Sequence, residues 1–205
     1  MFGLDLVKHI REFRNYILNR QYELTPHGIL FPKASAVARG KYTHWVTGYE
    51  SEMATDRNIV PDEGLNHFLS VVLKAGTASP NWYLALHSGS GTPAASLTAA
   101  TYNATLSEIT ASSGDPGGYT EATRVAWAAD AIDTVNTEVV NDTTPAAFTV
   151  STTTTLVVNG AALMNKSGKT DYTGVIASAG KFTATRNLAN TDVFNLKYKV
   201  DLDAV

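Results

Sequence analysis

A histidine and a serine stand side by side in "NWYLALHSGSG", residues 81–91. A serine hydrolase of the elbow type needs G-x-S-x-G on a strand-to-helix turn, with a general base brought in separately. Here Ser88 follows His87 directly. Neighbouring residues on a strand point to opposite faces, so His87 is badly placed to take the Ser88 proton. The expected reading is a strand running out into a Gly/Ser turn. "SGKT" at 167–170 has the ending of a phosphate loop, but Leu163 stands where the full pattern needs its first glycine. A hairpin turn is expected there instead. The histidines His9, His27, His44, His67 and His87 form no i, i+4 pair and no HExxH, so no local zinc motif exists. Glycoside hydrolysis needs two carboxylates across a cleft. Asp130 with Asp133, and Asp115 with Glu121, have the right types but lie in turn-rich stretches where carboxylates are ordinarily solvated. There is no cysteine, which removes thiolate catalysis, thiolate metal sites and disulfides together. The expectation is a protein that is not an enzyme, with no catalytic residue, cofactor or metal site.

The totals agree with a protein that works through surfaces. At 205 residues the chain can form one large domain, or a domain with an appendage. Sixteen basic against nineteen acidic side chains leave a net charge of -3. No clustered basic stripe suggests nucleic acid as a partner. No apolar run approaches the ~20 residues needed to cross a bilayer. "MFGLDLVKHIREF" carries charge throughout and lacks the apolar core of a signal peptide, so synthesis in the cytoplasm and no membrane partner are expected. Charge is uneven along the chain. Residues 76–165 hold one basic side chain, Arg124, against Glu108, Asp115, Glu121, Asp130, Asp133, Glu138 and Asp142.

Three kinds of element must carry these residues. In the first twenty, Phe2, Leu6, Ile10, Phe13 and Ile17 share an arc of roughly 80°, the mark of an amphipathic helix. A helix this short is marginal alone in water, so it should order where it docks. Residues 21–58 show no clear period and read as an extended arm, giving a docking segment over 1–58. Its partner-binding residues would be those five apolar side chains, with Phe31, Tyr42 and Trp45 as aromatic anchors. A second helix is expected over 62–74, opened by Pro61, Asp62 and Glu63. Leu65, Phe68, Leu69, Val72 and Leu73 are its expected buried stripe, and Gly76 its left-handed stop.

From residue 81 the period falls to two. "VFNLKYKVDL" turns Phe194, Leu196, Tyr198, Val200 and Leu202 one way and its polar residues the other. Further strands are expected in "NWYLALH", "YTEATRVAW", "NTEVVN", "AAFTV", "TLVVNG", "GVIAS" and "KFTAT". Turns are expected at "SGSGTP", "SGDPGG", "NG" (159–160), "NKSGKTD" and "SAG", and "STTTT" at 151–155 reads as a polar strand or hairpin segment. The fold class is therefore mainly β. It has an antiparallel β-sandwich or jelly-roll-like body over 59–205, an N-terminal α-helix with an extended arm, and one short helix.

One family resemblance emerges from the order of these segments. "RNIVPDEGLNHFLSVVL", "NWYLALHSG", "GGYTEATRVAW", "FTV" with "VNGAALMN", and "KFTATRNLANTDVFNLKYKVDL" together resemble virion structural proteins of tailed bacteriophages. The chain looks most like small capsid decoration, or cement, proteins. The resemblance spans residues 57–203, and it departs from the pattern at Asn190-Thr191-Asp192, where Gly-Asp is usual. It implies a jelly-roll-type body, commonly a homo-oligomer and most often a trimer, bound to the major capsid protein or another virion protein. It implies localisation in the virion after synthesis in the host cytoplasm, and no enzymatic activity or cofactor. A neck, tail or fibre-base protein is the alternative within the virion. Outside it, the alternative is a carbohydrate-binding sandwich with Trp82, Trp127 or Tyr119 as stacking platforms.

Overall fold

Alternation of apolar and polar side chains builds most of the chain into strands. The structure, a computed structural model, describes residues 22–24, 30–32 and 36–204. The helix expected over 1–20, with Phe2, Leu6, Ile10, Phe13 and Ile17, lies outside the described residues. Two compact units divide the chain: Met1–Val37 with Leu202–Val205, and Ala38–Asp201. In the first, β1 (Tyr22–Leu24) and β2 (Leu30–Pro32) pair antiparallel, with Glu23 opposite Phe31.

The second unit is a body of two antiparallel sheets. It uses β3 (Ala36–Val46), β4 (Ala54–Arg57), β5 (Tyr83–His87), β6 (Gly118–Tyr119), β7 (Val125–Ala126), β8 (Glu138–Val140), β9 (Ala146–Ser151), β10 (Leu156–Met164), β11 (Ile176–Leu188) and β12 (Val193–Ala204). Six strands form one sheet in the order β4-β3-β12-β9-β6, with β8 also paired to β12. Four form the other in the order β11-β10-β5-β7. The helices among the described residues are α1 (Asp62–Leu73), α2 (Ala99–Leu106) and a single 3-10 turn at Glu50–Glu52.

The inner faces of the sheets supply the main core. Tyr42, Phe148, Phe194, Leu196 and Tyr198 of the larger sheet meet Leu84, Leu86, Val158, Leu163, Phe182 and Leu188 of the smaller one. Burying each such side chain contributes about 1.5–3 kcal/mol. The smaller sheet is covered on its other face as well. There Ala85, Ala162, Met164, Ile176 and Ala179 pack with Leu97, Ala99, Tyr102 and Leu106 of α2 and its approach. Thr98 caps α2, accepting from the Thr101 N–H while its own N–H donates to Thr101 Oγ1. This helix was not expected from the sequence. Its signals were Thr98, the two alanines after it, and Tyr102 four residues before Leu106.

Several expectations are corrected. Residues 36–57 form β3 and β4 where an irregular arm was expected. Tyr42 and His44 are buried while Lys41 is exposed, a period-two pattern hidden by polar residues at inward positions. "NG" at 159–160 lies inside β10, at a register shift, and "SAG" at 178–180 lies inside β11. Glycine marks close approach there. A Cβ on Gly180 would come to 2.8 Å of Tyr42 Cδ2, and one on Gly160 to 2.1 Å of the Gly180 carbonyl oxygen. "YTEATRVAW" is split into β6 and β7, and 152–155 carries the chain from one sheet to the other. Ala75 (φ 51°), not Gly76, takes the left-handed conformation after α1.

Gly160 tests this packing directly. Gly160→Ala should lower stability by about 3 kcal/mol or more, because its Cβ meets backbone that cannot move aside. Denaturant unfolding of the two proteins measures the loss.

Candidate functional site

The residues with chemical potential are spent on holding the body together. His87 ends β5 in the register of Gly160, and its Nε2–H donates to the Gly180 carbonyl at 3.1 Å. The room for its ring comes from glycine, since a Cβ on Gly160 would lie 2.3 Å from His87 Nε2. Ser88 Oγ donates elsewhere, to the Ser107 carbonyl at 3.2 Å. The two side chains are not paired, as strand geometry requires.

A second histidine, itself buried, links a buried aspartate to a half-buried arginine. His44 Nε2–H donates to Asp56 Oδ2 at 2.9 Å, and Arg186 Nε–H donates to His44 Nδ1 at 3.1 Å. With a cation donating to Nδ1, the imidazole is held neutral. Asp56 Oδ1 accepts from both the N–H and the hydroxyl of Thr183. Ile59 and Ala179 exchange both backbone bonds nearby. The triad therefore closes one edge of the sandwich, joining the β4 side of one sheet to β11 of the other.

The opposite loops are held by a buried ion pair. Arg124 Nε–H and Nη2–H donate to the two oxygens of Glu108 at 2.7 and 2.8 Å, and Nη1–H donates to the carbonyls of Lys166 and Asp171. Burial pushes the Glu108 carboxyl up, and the guanidinium pulls against it. Lys169, within "SGKT", donates to the Tyr119 carbonyl at 2.9 Å and lies 3.6 Å from the Tyr119 ring centroid. The segment is the connection between β10 and β11, as its failed phosphate-loop pattern indicates. Asp130 and Asp133 each accept turn N–H groups, Glu121 accepts the Thr149 N–H, and Asp115 accepts the Thr154 hydroxyl. Among the described residues no group of three or more His, Asp or Glu could hold a metal ion.

What faces outward is α1. Gly64 is its buried residue, and a Cβ there would lie 2.9 Å from the Ala177 carbonyl oxygen. Glu63 Oε2 accepts the N–H groups of both Ala99 and Ile176, which fixes the rotation of the helix. The seat is thus a glycine and a carboxylate at the start of the helix, with His67 packed edge-on against Trp82 farther along. Leu65, Phe68, Leu69, Val72 and Leu73, expected as the buried stripe, are instead 39–75 % exposed. This is the correction that matters most for function. An apolar helix face turned to solvent is ordinarily a contact surface.

The expected anchors divide differently. Tyr42 is buried in the core with its hydroxyl paired to Ser178 Oγ, so it is a core residue and not a docking anchor. Trp45 is half-buried on the outer face of the larger sheet, with Lys197 Nζ 5.4 Å from its ring centroid. Phe31 lies in β2, opposite Glu23. Of the carbohydrate platforms, Tyr119 is buried, Trp82 packs edge-on against His67, and Trp127 Nε1–H donates to Asn141 Oδ1 and the Tyr198 carbonyl.

No protein-family model matches the chain, and no curated protein matches it.

Two predictions follow from the buried polar groups. Burial lowers the His87 pKa to about 4 and also lowers that of His44. Between the ordinary value near 6.5 and about 4, the unfolded chain binds a proton that folded His87 refuses, so stability falls as pH falls through that window. The loss from His87 alone should be on the order of 3 kcal/mol. His87→Gln should flatten the dependence, read from denaturant midpoints at pH 7.5 and pH 4.5. Separately, Arg124→Met leaves a buried carboxylate unpaired and should cost about 3–5 kcal/mol, seen in thermal unfolding.

Proposed function

We propose that this chain is a non-enzymatic virion structural protein, a capsid decoration or cement protein that stabilises a phage head by bridging capsid subunits. The observation carrying a surface-acting role is the outward apolar face of α1, on a body whose buried charged side chains are engaged in internal networks. The order of segments over residues 57–203 supports the virion assignment. In this reading the body is jelly-roll-like and homo-oligomeric, with a trimer as the expected form. The partner is the major capsid protein.

The segment ahead of the body would supply the second contact. Its apolar residues Phe2, Leu6, Ile10, Phe13 and Ile17 give an amphipathic helix something to bury. Binding of this kind orders a marginal helix on contact, so its affinity depends on the whole face and is lost with it.

Deleting residues 1–20 should abolish binding to capsids while the β-sheet circular dichroism of the body is retained. Co-sedimentation with undecorated shells reads the first, and decoration equal to that of the full chain would refute this role for the segment. Counting copies per particle by cryo-electron microscopy then separates hundreds, for a head decoration, from a dozen or fewer, for a neck, tail or fibre-base protein.

A further inference from the structure

The exposed face of α1 is complementary to itself. At 100° per residue, Phe68, Val72, Leu65, Leu69 and Leu73 fall within an arc of about 140°. The row Leu65, Leu69, Leu73 is spaced i, i+4, i+8 and is centred on Leu69, so it reads alike in either chain direction. A two-fold axis through Leu69 would set Leu69 against Leu69 and Leu65 against Leu73, with Phe68 and Val72 alongside. Asp62 is exposed beside the start of the row, while Lys74 falls on the opposite side of the helix. An antiparallel neighbour opposes the two helix dipoles.

The area also fits one particular occupant. The five side chains expose on the order of 500 Å², at the upper end of apolar patches on monomers. Closing two such patches on each other removes on the order of 1,000 Å², about the threshold for a specific and reversible dimer. We propose that α1 is a two-fold contact through which two copies of this chain associate, helix antiparallel to helix across Leu69. This goes beyond the covering of a virion surface and holds whichever partner that surface belongs to. A separate three-fold contact elsewhere on the body is compatible with it.

The test uses the full chain, in sedimentation velocity from micromolar to millimolar protein. A reversible doubling of the assembled unit is expected, from one copy to two, or from three to six where a three-fold contact also forms. Leu69→Asp should weaken it by about thirtyfold or more, as for a central contact residue, and Val157→Asp, at an exposed apolar position on β10, should leave it unchanged. Leu69→Ala, which introduces no charge, should weaken association by about tenfold, so a second variant reads the contact if Leu69→Asp fails to fold. Because the chain has no cysteine, Leu69→Cys offers a single thiol, and a short thiol cross-linker should give a covalent dimer. A monomer at every concentration overturns the proposal, as does association indifferent to Leu69→Asp. A three-copy assembly dissolved by Leu69→Asp overturns the two-fold. Association that appears only after residues 1–20 are removed overturns it too, by showing that the chain's own first segment covers the face.

Discussion

The smaller sheet is covered on both faces, and its outer face mixes Met164 and Ile176 with small residues. Ala85, Ala162 and Ala179 give little height there, and Gly160 gives none. A helix laid on such a surface reaches van der Waals contact only by bringing its own backbone close. In α1 that role falls to Gly64, on the Ala177 and Ile176 backbone. A helix seated through glycine cannot also turn its large side chains inward. The Glu63 carboxylate then locks the rotation by accepting two backbone N–H groups from different elements. The outward turn of Leu65, Leu69, Val72 and Leu73 thus follows from how α1 is seated on the β11 backbone.

The buried polar networks make the rest of the body a rigid support for that face. A buried ion pair is costly unless its hydrogen-bonding capacity is filled. Arg124 meets this condition with four bonds, two to Glu108 and two to carbonyls of the β10–β11 connection. Three segments that would otherwise be independent loops are tied at one point. On the other side, Asp56 uses both oxygens, one on β11 and one on His44 of β3. A support that does not rearrange lowers the ordering cost of association, so a modest apolar area can suffice.

Strands with clean alternation were legible from sequence. β5, β8, β9 and β12 fall where the period-two pattern puts them, and α1 starts at its Pro-Asp-Glu signal. The misreadings have physical causes. "NG" and "SAG" carry turn residues, yet in β10 and β11 those residues are small because Tyr42 and His87 press against them. β3 hides its period because His44 faces inward, made tolerable by Asp56 and Arg186 far along the chain. α2 is too short for a strong helical period. Its cap was readable, but its burial depends on the sheet beneath it. The apolar stripe of α1 was read correctly as a stripe, and its direction was not, because periodicity says which residues share a face and not which way that face turns. The Glu108–Arg124 pair is sixteen residues apart with no motif, and only tertiary placement reveals it.

Sheet edges are the other route by which β proteins associate, and here they offer little. An edge invites strand addition when it is long, flat and unpaired. The smaller sheet ends at β7, two residues long, and the larger ends at β6, also two, and at β4, which has four. The long edge strand β11 is engaged by Ile59 through two backbone bonds and by Asp56 through Thr183. The outer face of the larger sheet carries paired charges, Lys197 with Asp142 and Lys199 with Glu138, which favour solvent. With edges short or engaged and that face charged, the apolar side of α1 is the surface on this body for which water is the poorest neighbour. Association through side-chain packing of a helix, and not through backbone pairing of strands, is what this arrangement selects.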